Sequence, residues 1–219
     1  MKPGTCLIFD LDGTLVDSVP DLTFCINRLL ASRNLAPLAT KQIVSMVGDG
    51  AAALLQRAFA VAGLHPDAKA MDDFLADYQA HTTECSELYP GVADTLRGFA
   101  AQGYVMGVCT NKPEAPARKV LNELGISALF QAVGGGDSFP VRKPDPEHLL
   151  LTIKAAGGNA TDAVMTGDHA NDIHAALGAG VPAIFAAWGY GTPEMARGAR
   201  FTAEEFGDVP DLIKQIIKK

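Results

Sequence analysis

The chain has 219 residues, of which 48% are hydrophobic and 20% are charged. This composition fits one globular domain, or one domain carrying an insert, and excludes a disordered or fibrous protein. The formal net charge is −7 and no run of lysine and arginine forms a basic stripe, so we expect no nucleic-acid partner, because phosphate neutralisation needs clustered cations.

The cysteines and the first residues indicate the compartment. The four cysteines are scattered and have no C-x-x-C spacing, which predicts reduced thiols. The apolar run before Asp10 is too short for a signal sequence, and no stretch approaches the ~18 apolar residues of a membrane span. We therefore expect a soluble, cytoplasmic protein that binds no membrane.

Five short apolar runs predict the strands of a parallel sheet. Their hydrophobicity is continuous rather than alternating, which is typical of strands that are covered on both faces. In chain order the runs are Thr5–Phe9, Tyr104–Cys109, Gln131–Val133, Ala163–Thr166 and Pro182–Ala186. Between most of them, apolar residues recur at helical spacing and stop at or before a glycine. The alternation predicts a doubly wound, Rossmann-like α/β core.

One segment, residues 17–87, interrupts the alternation of strands and helices. It contains only helical patterns, of which Leu22, Ile26, Leu29 and Leu30 form the first. About seventy residues exceed a single crossover, because a whole βαβ unit takes on the order of 30 residues. We predict an all-helical subdomain at 17–87, inserted into a core made of 1–16 and 88–219. The alternative is a long crossover that packs flat on the sheet.

Two carboxylates, Asp10 and Asp12, follow the first strand directly. Side by side at the end of a buried strand they repel each other unless a cation or a shared proton is present. A solvated acidic turn is the simplest alternative. A calcium loop of the EF-hand type does not fit, because its glycine position falls on Leu15 and its bidentate glutamate position on Asp21.

Polar residues also follow the other predicted strands. Thr110 and Asn111 come after the second strand, Lys143 follows the third beyond a glycine-rich turn, and Asp168 and Asp172 follow the fourth. Because parallel strands present their carboxyl ends at one edge of the sheet, we expect all of these side chains at the edge where open α/β sheets bind ligands.

The predicted edge combines an acidic group with hydrogen-bond donors. Hard cations such as Mg²⁺ prefer a carboxylate cluster, here Asp10, Asp12, Asp168 and Asp172. Lys143, the Thr110 hydroxyl and backbone N–H groups can donate to a phosphoryl group. A metal ion held by the carboxylates would supply the positive charge that lets an anionic phosphoryl group bind beside them. We therefore predict a small phosphorylated metabolite as the ligand.

These motifs identify the chain as similar to the haloacid dehalogenase superfamily of aspartate-dependent phosphohydrolases. The D-x-D-G-T run at 10–14, Thr110, the Lys143 that precedes Pro-Asp-Pro, and the G-D-x-x-x-D run at 167–172 occur in order over essentially the whole chain. The resemblance implies that the helical insert is a cap and that the enzyme uses Mg²⁺.

The same resemblance implies a role for each residue. Asp10 would be the nucleophile that forms an aspartyl-phosphate, and Asp12 the general acid and then the base. Mg²⁺ would be held by the Asp10 carboxylate, the backbone carbonyl of Asp12 and Asp168. Asp172 would act through water or orient Lys143, and Thr14 would hydrogen-bond the Asp12 carboxylate.

Within the superfamily the chain resembles the phosphoglycolate phosphatase branch, through Leu88–Val92, Thr110–Pro113 and Val47–Gly50. The resemblance implies 2-phosphoglycolate as substrate. Pyrophosphate and sugar phosphates remain alternatives, since related hydrolases share most of these motifs. A sugar-phosphate mutase is disfavoured, because such mutases carry a histidine where this chain has Leu22.

Substrate selection is expected in the cap loop. Gly48 and Asp49 are the candidates. Asp49 could also do no more than cap the helix that begins near Gly50, and both roles could hold at once. Thr110, Asn111 and Lys143 complete the predicted substrate contacts. His169 replaces a serine common in the branch, as a tolerated loop substitution or as a contact that tunes Asp168. We expect His148 to be solvated or to cap a helix.

Overall fold

The computed structural model describes residues 5–217 and contains eight strands, six of them in one parallel sheet. The strands are β1 (Cys6–Phe9), β2 (Val16–Asp17), β3 (Glu87–Leu88), β4 (Val105–Cys109), β5 (Ala132–Gly134), β6 (Ala163–Gly167), β7 (Ala183–Ala186) and β8 (Phe201–Ala203). The sheet order is β5-β4-β1-β6-β7-β8. β1 therefore lies between β4 and β6, with Phe9 level with Val108 and with Thr166.

Helices cover the sheet and form the segment between β2 and β3. They are α1 (Val19–Ala31), α2 (Thr40–Val44), α3 (Ala51–Ala60), α4 (Ala70–Ala80), α5 (Val92–Ala101), α6 (Glu114–Glu123), α7 (Pro146–Ala155), α8 (Ala170–Ala179) and α9 (Val209–Ile217). None of the helices in residues 5–217 is both long enough and apolar enough to cross a membrane.

The sheet has a hydrophobic core on each face, because successive strand residues point to opposite sides. Leu7 and Phe9 of β1 pack with α5, α6 and α9, whereas Cys6 and Ile8 pack with α7 and α8. Both faces of β1 are buried, which explains its unbroken apolar sequence. The predicted doubly wound α/β class is confirmed.

The helices α1–α4 form the predicted helical segment and have a core of their own. Its buried members include Ile26, Leu55 and Phe74, from three different helices. The chain enters and leaves this segment through β2 and β3, which pair antiparallel at Val16–Leu88 and Asp17–Glu87. The predicted division at residues 16/17 and 87/88 falls at this ribbon, and as a domain boundary it stays a prediction.

The five predicted strands are all present, with ends that differ by one residue. The sheet also contains β8 (Phe201–Ala203), which the sequence analysis did not predict, and the ribbon strands β2 and β3 were missed as well. β8 is three residues long, lies at the sheet edge and exposes Thr202. A short, half-exposed edge strand lacks the continuous apolar run that marked the buried strands.

Candidate active site

The carboxyl ends of β1, β4 and β6 bring the candidate residues together. Asp10 follows β1, Thr110 follows β4 and Asp168 follows β6, so neighbouring strands place them side by side. The Asp10 N–H donates to the Thr166 carbonyl at 2.9 Å, which extends the ladder of β1 and β6 up to the site. All three candidate side chains are buried.

Three carboxylates form one buried group. Oxygens of Asp10, Asp168 and Asp172 all lie within 4.8 Å of one another. Asp10 Oδ1 accepts the Leu11 N–H at 2.7 Å, and no described residue donates a hydrogen bond to Asp10 Oδ2. One oxygen of Asp10 is therefore fixed while the other is available to a ligand.

Lys143 is the cation inside this group. Its Nζ lies 3.0 Å from Asp10 Oδ1 and 2.5 Å from Asp172 Oδ1, and it donates to the Cys109 carbonyl at 2.6 Å. Asp172 Oδ2 accepts the His169 N–H at 3.0 Å. Both oxygens of Asp172 are thus engaged by the protein, and its carboxylate holds Lys143 in place.

The group contains more acidic side chains than basic ones. Burial, opposed by Lys143, raises the pKa of Asp10 to about 6. Burial and the neighbouring carboxylates raise the pKa of Asp168 to about 8. Lys143 loses solvation on burial, but Asp10 and Asp172 outweigh this loss and raise its pKa. Three carboxylates face one ammonium, and a divalent cation would relieve the excess of negative charge.

Asp168 is held by two donors from different parts of the chain. The Thr14 hydroxyl donates to Asp168 Oδ1 at 2.9 Å, and the Tyr190 N–H donates to Oδ2 at 2.8 Å. The expectation that Thr14 bonds Asp12 is therefore wrong. Gly13 adopts a φ of 83°, a left-handed conformation that favours glycine, and the Thr14 hydroxyl that follows it reaches Asp168, just after β6.

The Asp12 carboxylate points away from the carboxylate group. Its oxygens accept from Lys112 Nζ at 3.0 and 3.1 Å, and the same Nζ donates to the Tyr78 hydroxyl at 2.7 Å. Asp12 is therefore absent from the cluster of acidic side chains. A metal contact through its backbone carbonyl, the form that the resemblance implied, stays a prediction.

The predicted phosphate donors after β4 differ in what they can do. The Thr110 hydroxyl oxygen accepts the Lys112 N–H at 3.2 Å, and its hydrogen is donated to no described residue. Asn111 Nδ2 instead donates to the carbonyls of Gly48 and Lys143 at 3.0 Å each, and Asn111 Oδ1 is buried without a partner among residues 5–217. The Asn111 amide thus ties the cap loop to the Lys143 loop, leaving only an acceptor free.

The loop at 47–50 lies over the sheet edge, as predicted. Asn171 Nδ2 donates to Asp49 Oδ1 at 2.7 Å, and Arg57 also binds Asp49. A Cβ on Gly48 would come within 2.6 Å of the His169 ring, so only glycine allows this approach. The alternative that Asp49 caps α3 is wrong, because Gly50 occupies the N-cap and no side chain caps that end.

Two cavities adjoin Asp10 and Asp12 between the sheet edge and the helical segment. One has a volume of about 50 Å³, and the described residues that line it include Thr110, Lys112 and Tyr78. The other has a volume of about 390 Å³ and reaches Arg57 and Thr192. The acidic group is therefore accessible from the cap side.

The two candidate histidines have defined structural contacts. His169 Nδ1 accepts the Asn171 N–H at 3.2 Å and caps α8. His148 is fully buried, so the expectation that it is solvated is wrong. Its Nδ1 accepts the Lys143 N–H at 3.1 Å and its Nε2 lies 3.1 Å from the Gly135 carbonyl. Burial lowers its pKa to about 4, with a smaller contribution from Lys143. A neutral His148 therefore holds the Lys143 loop.

Three residues near the site were not predicted from the sequence, namely Lys112, Tyr78 and Tyr190. Lys112 and Tyr190 could have been found by extending the strand-end argument, because they follow β4 and β7 at the same edge. Tyr78 could not, since its helical spacing marks it only as a core residue of α4.

The chain is similar to known proteins in its family pattern, its sequence and its structure. Residues 7–186 match the model of the haloacid dehalogenase-like hydrolases. Phosphoglycolate phosphatase of Rhodospirillum rubrum is 41% identical over 214 residues, which cover 94% of this chain and 89% of that protein. That of Caulobacter vibrioides is 40% identical over 212 residues, covering 94% and 90%.

A similar structure is that of a protein from Haemophilus somnus 129PT, described as a predicted phosphoglycolate phosphatase. It superposes with a TM-score of 0.88 at 32% identity and covers 97% of this chain and 99% of its own. Sequence and structure thus match over almost the full length, cap segment included.

Proposed function

The chain belongs to the haloacid dehalogenase-like hydrolases and is a phosphoric monoester hydrolase, and we propose that it hydrolyses 2-phosphoglycolate with Mg²⁺ through an aspartyl-phosphate. The observation that carries this proposal is the convergence of Asp10, Lys143 and Asp168 beside a small cavity at one sheet edge. The names of the relatives support the substrate.

The residues present fit a divalent cation. Asp10 Oδ2 accepts no hydrogen bond from a described residue, and burial, together with the neighbouring carboxylates, raises the pKa values of Asp10 and Asp168. Asp10 and Asp168 would hold Mg²⁺, with the Asp12 carbonyl as the third protein ligand. When bound, Mg²⁺ would offset the charge of these carboxylates and of the phosphoryl oxygens.

Asp10 is the proposed nucleophile. Its Oδ1 is fixed by the Leu11 N–H and by Lys143 Nζ, so the position of the second oxygen is set before the substrate binds. A carboxylate oxygen of Asp10 attacks phosphorus and forms the aspartyl-phosphate, while the bond from phosphorus to the ester oxygen breaks.

Asp12 is the proposed proton carrier. It lies two residues after Asp10 and lines the small cavity where the leaving group would sit. Asp12 gives a proton to the departing alkoxide. It then takes one from a water molecule, which attacks phosphorus, releases phosphate and restores the Asp10 carboxylate.

Lys143 and Thr110 are the proposed donors to the phosphoryl oxygens. Lys143 Nζ already lies at Asp10, and the hydrogen of the Thr110 hydroxyl has no acceptor among the described residues. The Thr110 hydroxyl, fixed in this way, can stabilise charge that develops on the transferring group without reorganising, and the buried ammonium of Lys143 adds its positive charge. Asp172 and His148 position Lys143 and would not touch the substrate.

The size of the small cavity supports a two-carbon leaving group. Its volume is about 50 Å³, which is room for roughly four water-sized groups at ~10–15 Å³ each. A glycolate group fits such a space. Gly48 lines both this space and the larger cavity, and Asp49 lines the larger one.

The partner and the location belong to the same proposal. The net charge of −7 supports a small phosphorylated metabolite as the ligand, with no nucleic acid or membrane involved. The four free cysteines support a cytoplasmic location.

The test is a phosphate-release screen over 2-phosphoglycolate, pyrophosphate, hexose phosphates and nucleotides. We expect the highest kcat/KM for 2-phosphoglycolate, since preference is a ratio of specificity constants. A value no higher than that of pyrophosphate or a hexose phosphate would overturn the substrate assignment.

A further inference from the structure

Lys112 is a buried cation whose contacts reach both the core and the helical segment. Its side chain is 5% exposed, and the Asp12 side chain beside it is 14% exposed. Besides binding Asp12, Nζ donates to the Tyr78 hydroxyl and lies 4.3 Å from the centre of the Tyr78 ring. Burial opposes the charge of Lys112, but Asp12 and Tyr78 outweigh this effect and raise its pKa. The ammonium is therefore charged.

Lys112 supplies the positive charge of the small cavity. Among the described residues that line this cavity, Lys112 is the one cation, and most of the others are apolar: Leu22, Val47, Ala51, Leu54, Phe74, Leu75, Pro113 and Pro116. An anionic group placed against such a wall loses its hydration, and only a charged hydrogen-bond donor can offset that loss.

Lys112 and Tyr78 can each offer a donor to a ligand. An ammonium has three N–H donors, and those of Lys112 face the two Asp12 oxygens and the Tyr78 hydroxyl. Because the two Asp12 oxygens lie at nearly equal distances of 3.0 and 3.1 Å, one N–H can serve both of them and release another for a ligand. The Tyr78 hydroxyl accepts from Lys112, and its own hydrogen goes to no described residue. Two donors at one point of the cavity can bind the two oxygens of a carboxylate.

We propose that Lys112, positioned by Tyr78, binds a carboxylate on the leaving group of the substrate. Lys112 is thus a specificity-determining residue that selects phosphate esters of hydroxy acids over neutral esters of the same size. This inference rests on the proposed function, because it assigns the leaving-group side of the same cavity.

The rates for different esters distinguish a Lys112 that only holds Asp12 from a Lys112 that binds the substrate carboxylate. If Lys112 did no more than hold the Asp12 carboxylate, its removal would slow the hydrolysis of every ester alike. If it binds a carboxylate, its removal lowers the rate for carboxylate esters far more, and mainly through KM.

The test compares matched pairs of esters. The first pair is 2-phosphoglycolate and 2-hydroxyethyl phosphate, in which a hydroxymethyl group replaces the carboxylate. The second is 2-phospholactate and 1-hydroxypropan-2-yl phosphate. For each pair the readout is the ratio of the two kcat/KM values, measured for the wild type, Lys112→Gln, Tyr78→Phe and Lys154→Gln, which changes an exposed lysine of α7.

We expect Lys112→Gln to reduce the ratio of both pairs by at least about tenfold, the effect of a lost charge-assisted hydrogen bond. Tyr78→Phe keeps the ring and should reduce the ratio by a smaller factor, and Lys154→Gln should leave it unchanged. An equal fall for both members of each pair in Lys112→Gln would overturn the proposal. Should that variant fail to fold, an unchanged ratio in Tyr78→Phe would overturn it.

The design separates this inference from the substrate assignment. A wild-type enzyme that prefers 2-phosphoglycolate, together with a Lys112→Gln variant that keeps the full ratio, refutes the role of Lys112 alone. A wild-type enzyme that favours 2-phospholactate over 2-phosphoglycolate, and loses its carboxylate preference with Lys112, refutes the substrate and supports the role of Lys112.

Discussion

The Asp10 carboxylate must stay close to other carboxylates and must also keep one oxygen free for a ligand. The backbone of Leu11 and the ammonium of Lys143 hold one oxygen, while burial and the neighbouring Asp172 disfavour the negative charge of Asp10. The confinement of Asp10 among other carboxylates therefore accounts both for the reactivity of the site and for its cost in stability.

Asp10→Asn separates these two effects. We expect it to lower kcat by about 10⁴-fold or more, because the amide cannot act as nucleophile. The metal-free variant should melt at the same temperature as the wild type or higher, because the substitution removes a buried carboxylate whose charge is disfavoured by burial and by Asp172. Phosphate release and thermal unfolding measure the two effects. A variant that retains turnover would refute the nucleophile assignment.

His148 makes the stability of the protein depend on pH. Its pKa is about 4 in the folded protein, against an ordinary value of 6.5. Between these values the unfolded chain binds a proton that the folded chain excludes, so the stability contributed by neutral His148 is present above pH 6.5 and is lost as the pH falls toward 4.

His148→Gln should therefore be less stable than the wild type at pH 7.5, because one hydrogen bond to Lys143 is lost, and the deficit should shrink by about 1–3 kcal/mol at pH 4.5. Urea unfolding at the two pH values measures this difference. His174→Gln, at an exposed position of α8, should show no such change. A deficit for His148→Gln that does not depend on pH would contradict the buried, neutral histidine.

At the scale of elements, the two crossings between core and helical segment are joined by one side chain. Asp21 of α1 is 2% exposed. It accepts from the backbone N–H groups of Cys85 and Ser86 at 2.9 and 2.8 Å and from the Ser86 hydroxyl at 2.5 Å. The start of the first helix is thereby fixed to the chain that returns to β3.

Asp21→Ala should lower the free energy of unfolding by about 2–4 kcal/mol, because it leaves buried N–H donors without a partner. The paired control is Asp72→Ala, at an exposed position of α4, which should change stability by no more than about 0.5 kcal/mol. Denaturant titrations of both variants measure the difference. Equal stability of the two variants would show that Asp21 does not join the crossings.

Tyr190 connects the same ribbon to the acidic group. Its N–H donates to Asp168, while its hydroxyl donates to Asp17 at 2.8 Å and accepts the Ser18 and Val19 N–H groups at 2.8 and 3.1 Å. The loop after β7 therefore contacts both a candidate metal ligand and the start of α1.

These elements also show what the sequence could and could not predict. Buried strands such as β1 and β6 were predictable, because burial on both faces leaves a continuous apolar run. Because parallel strands end at one edge of a sheet, Asp10, Lys143 and Asp168 could also be assigned to that edge without any knowledge of distances. The pairing of Lys112 with Tyr78 was not predictable, because it depends on how α4 packs against the core, which no local pattern encodes.

For the molecule as a whole, an acidic protein is proposed to bind an anionic substrate. The chain carries a net charge of −7, and Lys143 and Lys112 are each already paired with a carboxylate at the site. A phosphate ester that binds there brings further negative charge close to the carboxylates of the site. Activity should therefore depend on a metal ion throughout the catalytic cycle.

Removal of metal ions with EDTA should abolish phosphate release, and excess Mg²⁺ should restore it. Mg²⁺ should also raise the melting temperature, since a ligand that binds only the folded state stabilises it by mass action. Asp168→Asn should remove most of this rise because it takes away a proposed ligand, whereas Asp72→Asn, at an exposed site, should keep it. Turnover that is indifferent to EDTA would rule out the metal, and a full thermal shift in Asp168→Asn would place the ion elsewhere.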